Sequence, residues 1–197
     1  MEERRVALIL GYGIPADILN DGNYRRYLRV ALNHILASKI EWIILCGGHT
    51  NLRLPQATEA DEMVRFILRM LPTEVKFDFS LERESLTSWE NLIGAERFLS
   101  LRDGESLDIV VFCEYSRSRK IRMLARKILL AGHPERKFKV IGVDFDASRT
   151  FTKDVKQLAA VVFTALECWF PSLNEWARKR QLVRIGKLAK EPERGHE

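Results

Sequence analysis

Residues 42–51 read WIILCGGHTN, five apolar residues closed by two glycines and followed by polar ones. An apolar run of that length, bounded by a glycine turn, reads as a buried strand. Beyond the turn, Met63, Phe66, Ile67, Met70 and Leu71 recur at the i, i+3, i+4, i+7, i+8 spacing of one helix face. The same alternation extends in both directions. Apolar runs lie at Val6 to Leu10, Val75 to Phe79, Leu107 to Cys113 and Phe138 to Val143. Helical spacing returns at Ile121, Leu124, Ala125, Ile128 and Leu129, and at Val155, Leu158, Ala159, Val162, Phe163 and Leu166. Gly132 with Pro134 just beyond is a stop signal for the first of these two helices.

Alternating strands and helices predict βαβ units and a parallel sheet covered on both faces. The expected fold is a Rossmann-like three-layer α/β sandwich with a five-stranded, mainly parallel sheet. Strand order 3-2-1-4-5 is the first choice and the flavodoxin-like 2-1-3-4-5 the second. Residues 1–170 are expected to form this domain. Residues 171–197 add a helix from about Leu173 to Ile185 and a basic tail. Trp169, Phe170 and Trp176 are expected to glue that helix to the body, with a homo-oligomer contact as the alternative.

The chain has 197 residues, 46% hydrophobic and 30% charged, as expected of one soluble globular domain. No apolar run approaches the ~20 residues of a membrane span. Gly11, Tyr12 and Gly13 cut short the only candidate signal-peptide core, so a cytoplasmic protein is expected. Cys46, Cys113 and Cys168 are too few and too scattered for a disulfide framework and are expected to be buried. Cys46 with His49 has no second pair to complete a zinc site.

Of the net charge of +5, four units lie beyond Ala177, where seven Lys/Arg face three Glu. The nearly neutral body is not built around a polyanion, and nucleic acid is not expected as a partner. The tail alone keeps that reading open.

In an open parallel sheet, ligands bind beyond the carboxyl ends of the strands. The residues found there are therefore the candidate site. Gly11, Gly13 and Ala16 fit the pattern G-x-G-x-x-G/A. Pro15 and the stretch to Gly22 and Asn23 separate them from the helix, however, and no acid closes the second strand to hold a ribose hydroxyl. No dinucleotide is inferred, and a plain tight turn fits the glycines equally. Gly47 and Gly48, followed by Thr58, Glu59 and Glu62, read either as a backbone N–H cradle rimmed by carboxylates or as a turn with acids on the helix dipole.

Residues 82–91 read ERESLTSWEN. Thr87 and Glu90 have capping-box spacing. Capping does not account for Glu82, Glu84, Ser85 or Asn91, so a functional cluster is expected here. After the fourth strand, Arg117, Arg119, Lys120 and Arg122 crowd the start of a helix, against its dipole. A bound anion would offset that cost, with neutralisation by Glu114 as the alternative. Asp144 and Asp146 supply hard oxygen ligands of the kind that hold Mg²⁺.

At these phrases the chain resembles the YdcF/SanA/ElyC-like bacterial family, a domain of unknown function. The family pattern has a glycine turn after the first strand, S-G-G after the second, then E-A-x-x-M, E-x-x-S-x-x-T-x-E-N and a late Y-H-x-x-R. Leu10-Gly11-Tyr12-Gly13 resembles the first element, and Cys46-Gly47-Gly48 the second with Cys for Ser. Glu59, Ala60 and Met63 match the third. Glu82, Ser85, Ser88, Glu90 and Asn91 match the fourth, with Ser88 for Thr. Tyr115 and Arg119 match the last, with Ser116 where the family carries His.

The resemblance spans about Val6 to Val143. It implies a Rossmann-like domain with a polar pocket for a nucleotide-like ligand, in a family often tied to the bacterial envelope. Together with the residue reading, it assigns Glu90, with Glu59 or Glu82, as acid/base groups or metal ligands. Gly11, Gly13, Gly47, Gly48, Ser85, Ser88, Asn91, Tyr115, Ser116, Arg117 and Arg119 become the ligand-binding set, with Arg119 as the principal anion grip. The ligand is expected to be an anionic small molecule, phosphorylated or of nucleotide type such as S-adenosylmethionine, with or without Mg²⁺. Replacing the family His by Ser removes the obvious base near neutral pH and favours the alternative of a non-catalytic sensor.

Overall fold

The computed structural model describes residues 3–12, 18–50, 56–72, 74–102, 104–144, 161–166, 170 and 172–188. Five strands, β1 (Arg4–Leu10), β2 (Trp42–Cys46), β3 (Asp78–Glu82), β4 (Leu107–Glu114) and β5 (Lys137–Val143), form one sheet. Its order is β3-β2-β1-β4-β5, and every neighbouring pair is parallel. This is the Rossmann-like order 3-2-1-4-5, and the fold is an α/β three-layer sandwich with an added C-terminal helix.

The two faces of the sheet follow from the period-2 alternation of its central strands. Ala7, Ile9, Ile43 and Leu45 pack on one side with α1 (Gly22–Ala37) and α2 (Glu59–Met70). Val6, Leu8, Leu10, Trp42, Ile44 and Cys46 pack on the other with α3 (Ser88–Leu99) and α4 (Ser118–Leu129). Both faces of β1 and β2 are thus covered, which is why these strands read as unbroken apolar runs.

Helix starts are fixed by side chains. Asp21 accepts from the Tyr24 N–H at 2.6 Å to open α1. Thr58 with Asp61, and Thr87 with Glu90, form capping boxes at α2 and α3. Gly132, at φ +79°, turns the chain just past α4 in a conformation that glycine adopts without penalty.

Three expectations are corrected. β3 begins at Asp78 rather than Val75, because the first residues of that apolar run belong to a turn in which the Val75 N–H bonds Pro72 O. Pairing of Asp78 with Trp42 sets the strand, whose edge position leaves most of its side chains half-buried and less marked by hydrophobicity. Met70, expected on the buried face of α2, is 43% exposed. In the helical residues 161–166, Thr164 is the buried side chain, while Val162 and Leu166 are exposed. Val155, Leu158 and Ala159 lie outside the described residues.

The terminal helix, α5, spans Ser172–Leu188. Among the described residues no helix is long and apolar enough to cross a membrane.

Candidate functional site

The register places the carboxyl ends of β1, β2 and β3 side by side, with Leu10 beside Cys46 and Cys46 beside Glu82. The turns beyond those ends interlock through main-chain bonds. Gly11 N–H donates to Cys46 O at 2.6 Å, Gly47 N–H to Glu82 O at 3.0 Å, and Gly48 N–H to Ser85 O at 2.8 Å. The three glycine N–H groups are therefore spent inside the protein and do not form the open cradle that the sequence suggested.

Their smallness serves the neighbouring side chains instead. A Cβ on Gly11 would lie 2.5 Å from Glu59 Oε2, and one on Gly47 would lie 2.9 Å from Glu59 Cβ. A Cβ on Gly48 would meet Ser85 O at 2.7 Å. Gly13, Pro15, Ala16, Asn51, Asp146, Cys168 and Trp169 lie outside the described residues, as does the tail beyond Leu188.

Glu59, the first residue of α2, is 4% exposed. Its Oε1 accepts from Tyr24 Oη at 2.5 Å and from the Tyr12 N–H at 2.7 Å. Burial raises the Tyr24 phenol well above its ordinary pKa, and the Glu59 charge adds to the effect, so Tyr24 stays a donor. Thr50 Oγ1 lies 3.5 Å from Glu59 Oε2.

Glu82 is buried at the end of β3 and accepts from the Glu84 and Ser85 N–H groups at 2.8 and 3.1 Å. Ser85 Oγ touches both Glu82 and Asn91. With one proton it can donate to only one of them, and the Glu82 charge makes it the stronger acceptor. The Asn91 amide, turned to present its NH₂, then donates to Ser85 Oγ.

Glu90 faces elsewhere. One carboxylate oxygen accepts from the Leu86 and Thr87 N–H groups at 2.8 and 3.1 Å, and the other pairs with Arg178 of α5. Capping accounts for the first oxygen, and a tie to the terminal helix accounts for the second. The three carboxylates assigned together as acid/base groups thus occupy three different settings.

Beyond β4, a 3₁₀ turn over Tyr115–Arg117 leads into α4, and no side chain caps that helix. Gly142 of β5 makes room for the turn, since a Cβ there would meet Tyr115 Cα at 3.0 Å. Ser116 Oγ donates to Glu114. Arg117 donates to Gly11 O at 2.8 Å and Ser88 Oγ at 2.9 Å, and stacks over the Tyr12 ring at 5.8 Å. Both of its bonds run to neutral oxygens.

A cavity of about 310 Å³ opens over these groups, with Glu59, Ser85, Ser88 and Asn91 in its walls. Arg117, Lys120 and Arg184 supply three cations to that lining, and Glu59 is the one carboxylate among its described residues. Arg119, the expected anion grip, is exposed and lines no part of it. Tyr115 is likewise absent from the lining.

Sequence reasoning missed the far wall. Ala177, Gln181 and Arg184 of α5 close the cavity, and Ile185, 2% exposed, anchors the helix. The helix itself was expected, from about Leu173 to Ile185, but its i, i+4, i+7 row of Ala177, Gln181 and Arg184 was not read as a wall of the site. Of the expected glue, Phe170 is 56% exposed, while Trp176, 48% exposed, keeps its ring against that of Phe163 at 5.6 Å.

Burial pushes the Cys113 thiol up to about 12 and raises Cys46 well above its ordinary value, so neither is a nucleophile at neutral pH. Among the described residues no group of three or more His, Cys, Asp or Glu is placed to hold a metal ion.

Fold and cavity together define an α/β protein with a basic cleft at the carboxyl edge of a parallel sheet. No protein-family model, curated protein or solved structure matches this chain.

Proposed function

We propose that the protein binds a phosphorylated or nucleotide-type small molecule in this cleft and acts on it. The observation that carries the reading is the convergence of Arg117, Lys120 and Arg184 on one cavity whose described lining has Glu59 as its single carboxylate. Guanidinium groups recognise phosphate through paired N–H donors. A cavity near 300 Å³ is at the lower end of small-molecule sites. The resemblance to the YdcF/SanA/ElyC-like family supports the same place, because five of its motif positions, Gly11, Glu59, Ser85, Ser88 and Asn91, line this cavity together with Ser116, which stands where the family carries His. Any Mg²⁺ would enter with the phosphates of the ligand.

A second reading, a sensor without turnover, has its own support. The described lining contains no His or Cys, and Glu59 is already engaged by Tyr12 and Tyr24. Thermal-shift measurements with nucleotides, S-adenosylmethionine and sugar phosphates, each with and without Mg²⁺, test the binding. A ligand at 100 times its Kd stabilises by about 2.7 kcal/mol. No shift with any phosphorylated compound would refute the reading. Turnover of a compound that binds decides for the enzyme, and its absence for the sensor.

A further inference from the structure

The basic cavity has a neighbour of the opposite character. A second compartment of about 300 Å³ lies between α3 and α5 and shares Ser85 with the first. Its described carboxylates are Glu82, Glu84, Glu90 and Glu175, against the two cations Arg97 and Arg178. Glu90 is paired with Arg178, and Arg97 lies 3.9 Å from Glu84. Trp89 and Ile93 supply apolar walls. Asn174 Oδ1 is buried, with no hydrogen-bond donor among the described residues.

α5 lies along both compartments, with Asn174 and Arg178 at one and Gln181 and Arg184 at the other. An occupant reaching through both would have an anion at the Arg184 end. At the Asn174 end it would have an uncharged, partly apolar group rich in donors. A second anion there would face carboxylates, and a purely alkyl group would leave Asn174 Oδ1 unsatisfied.

We propose that the second compartment takes an amino-bearing heteroaromatic ring, the base of an adenine or cytosine nucleotide, while its phosphates occupy the basic compartment. This rests on the anion-binding reading above and adds the identity and orientation of the ligand. Asn presents an acceptor and a donor side by side, the pair that matches an adenine edge. The carboxylates around it accept hydrogen bonds and reject a ring that presents only oxygen at the amino position.

Titration calorimetry of the full chain with adenosine diphosphate, inosine diphosphate and pyrophosphate tests it. Adenosine diphosphate is expected to bind at least about tenfold more tightly than either of the others, a factor worth ~1.4 kcal/mol. Asn174→Leu is expected to abolish that advantage and leave pyrophosphate affinity unchanged. Asn174→Asp, nearly the same size but without the NH₂ donor that meets the ring nitrogen, should also lose the advantage, which keeps the test open even if the Leu variant folds poorly.

Pyrophosphate binding that depends on Arg117, with adenosine diphosphate no tighter, would overturn this inference and leave the anion site standing. An advantage that persists in Asn174→Leu would also overturn it. Failure of adenosine diphosphate to bind would overturn this inference, and failure of every phosphorylated compound in the thermal-shift series would overturn both readings.

Discussion

Arg178, on the terminal helix, ion-pairs with Glu90, the carboxylate that closes the capping box of α3. One carboxylate thus performs two structural tasks, with one oxygen on the backbone of Leu86 and Thr87 and the other on α5. Loss of a capping side chain costs about 1 kcal/mol. Arg178 is about half exposed, and a pair of that kind is worth ~0–1 kcal/mol. Glu90→Ala should therefore destabilise by about 1–2 kcal/mol in urea unfolding, and Arg178→Ala by less. Equal losses in the two variants would show that the cap contributes nothing beyond the ion pair.

Gly11 gives a sharper test of packing at the strand ends. Its missing Cβ is the space that the Glu59 carboxylate occupies, and Cys46 O lies 2.9 Å from the same point. Tyr24 and Tyr12 hold Glu59, so it cannot retreat without losing hydrogen bonds. Gly11→Ala is expected to cost about 1–3 kcal/mol, as overpacking does. Gly22→Ala, with nothing within 4 Å, should stay within about 0.5 kcal/mol of the native chain. A Gly11→Ala protein as stable as Gly22→Ala would mean that Glu59 is not fixed as described.

The sheet was legible because β1, β2 and β4 are buried on both faces, so hydrophobicity alone marks them. β3 was misplaced by three residues because an edge strand takes its start from backbone pairing, to which composition is blind. At the site, the positions of Glu59, Glu82 and Ser85 beyond the strand ends could be anticipated. Their partners could not, because Tyr24 reaches Glu59 across 35 residues of chain and Arg117 reaches Gly11 across 106. The assignment of Arg119 as the principal grip, helped by Arg117, came from motif resemblance, whereas the structure sets Arg117 in the cavity wall and leaves Arg119 exposed. The helix α5 was anticipated but its place at the cavity was not, because the row Ala177, Gln181 and Arg184 carries no apolar stripe to mark it as inward-facing.

His34 supplies a pH dependence whose sign follows from its setting. Its Nε2 is buried without a hydrogen-bond partner, and its ring stands edge-on to Phe112 at 5.6 Å. Burial lowers its pKa from the ordinary 6.5, and the charge of Lys139 lowers it further. The unfolded chain therefore takes up this proton first as pH falls. The stability tied to neutral His34 is complete above 6.5 and is lost as pH drops through 6.5 toward the folded value. The native chain should melt lower at pH 5.5 than at pH 7.5. His34→Phe, which keeps a ring and removes the orphan nitrogen, should show a smaller difference. An unchanged difference in that variant would assign the pH effect to other groups.

The choice between Arg117 and Arg119 bears most directly on the proposed ligand. The two are separated by one helical residue, yet Arg117 is held by Gly11 O and Ser88 Oγ at the cleft while Arg119 is exposed. A side chain already fixed loses little further freedom on binding, and its unused N–H groups remain available to an anion. Arg117→Ala should weaken binding of a phosphorylated ligand by about 1.5–3 kcal/mol, the scale of a hydrogen bond to a charged group. Arg119→Ala should change it by no more than about 0.5 kcal/mol at moderate salt, where exposed charges are screened. Calorimetry on both variants, each with its folding verified by melting, makes the comparison. A larger loss at Arg119 would place the anion outside the cavity, on the exposed side of α4, and return the grip to the residue that the family resemblance chose.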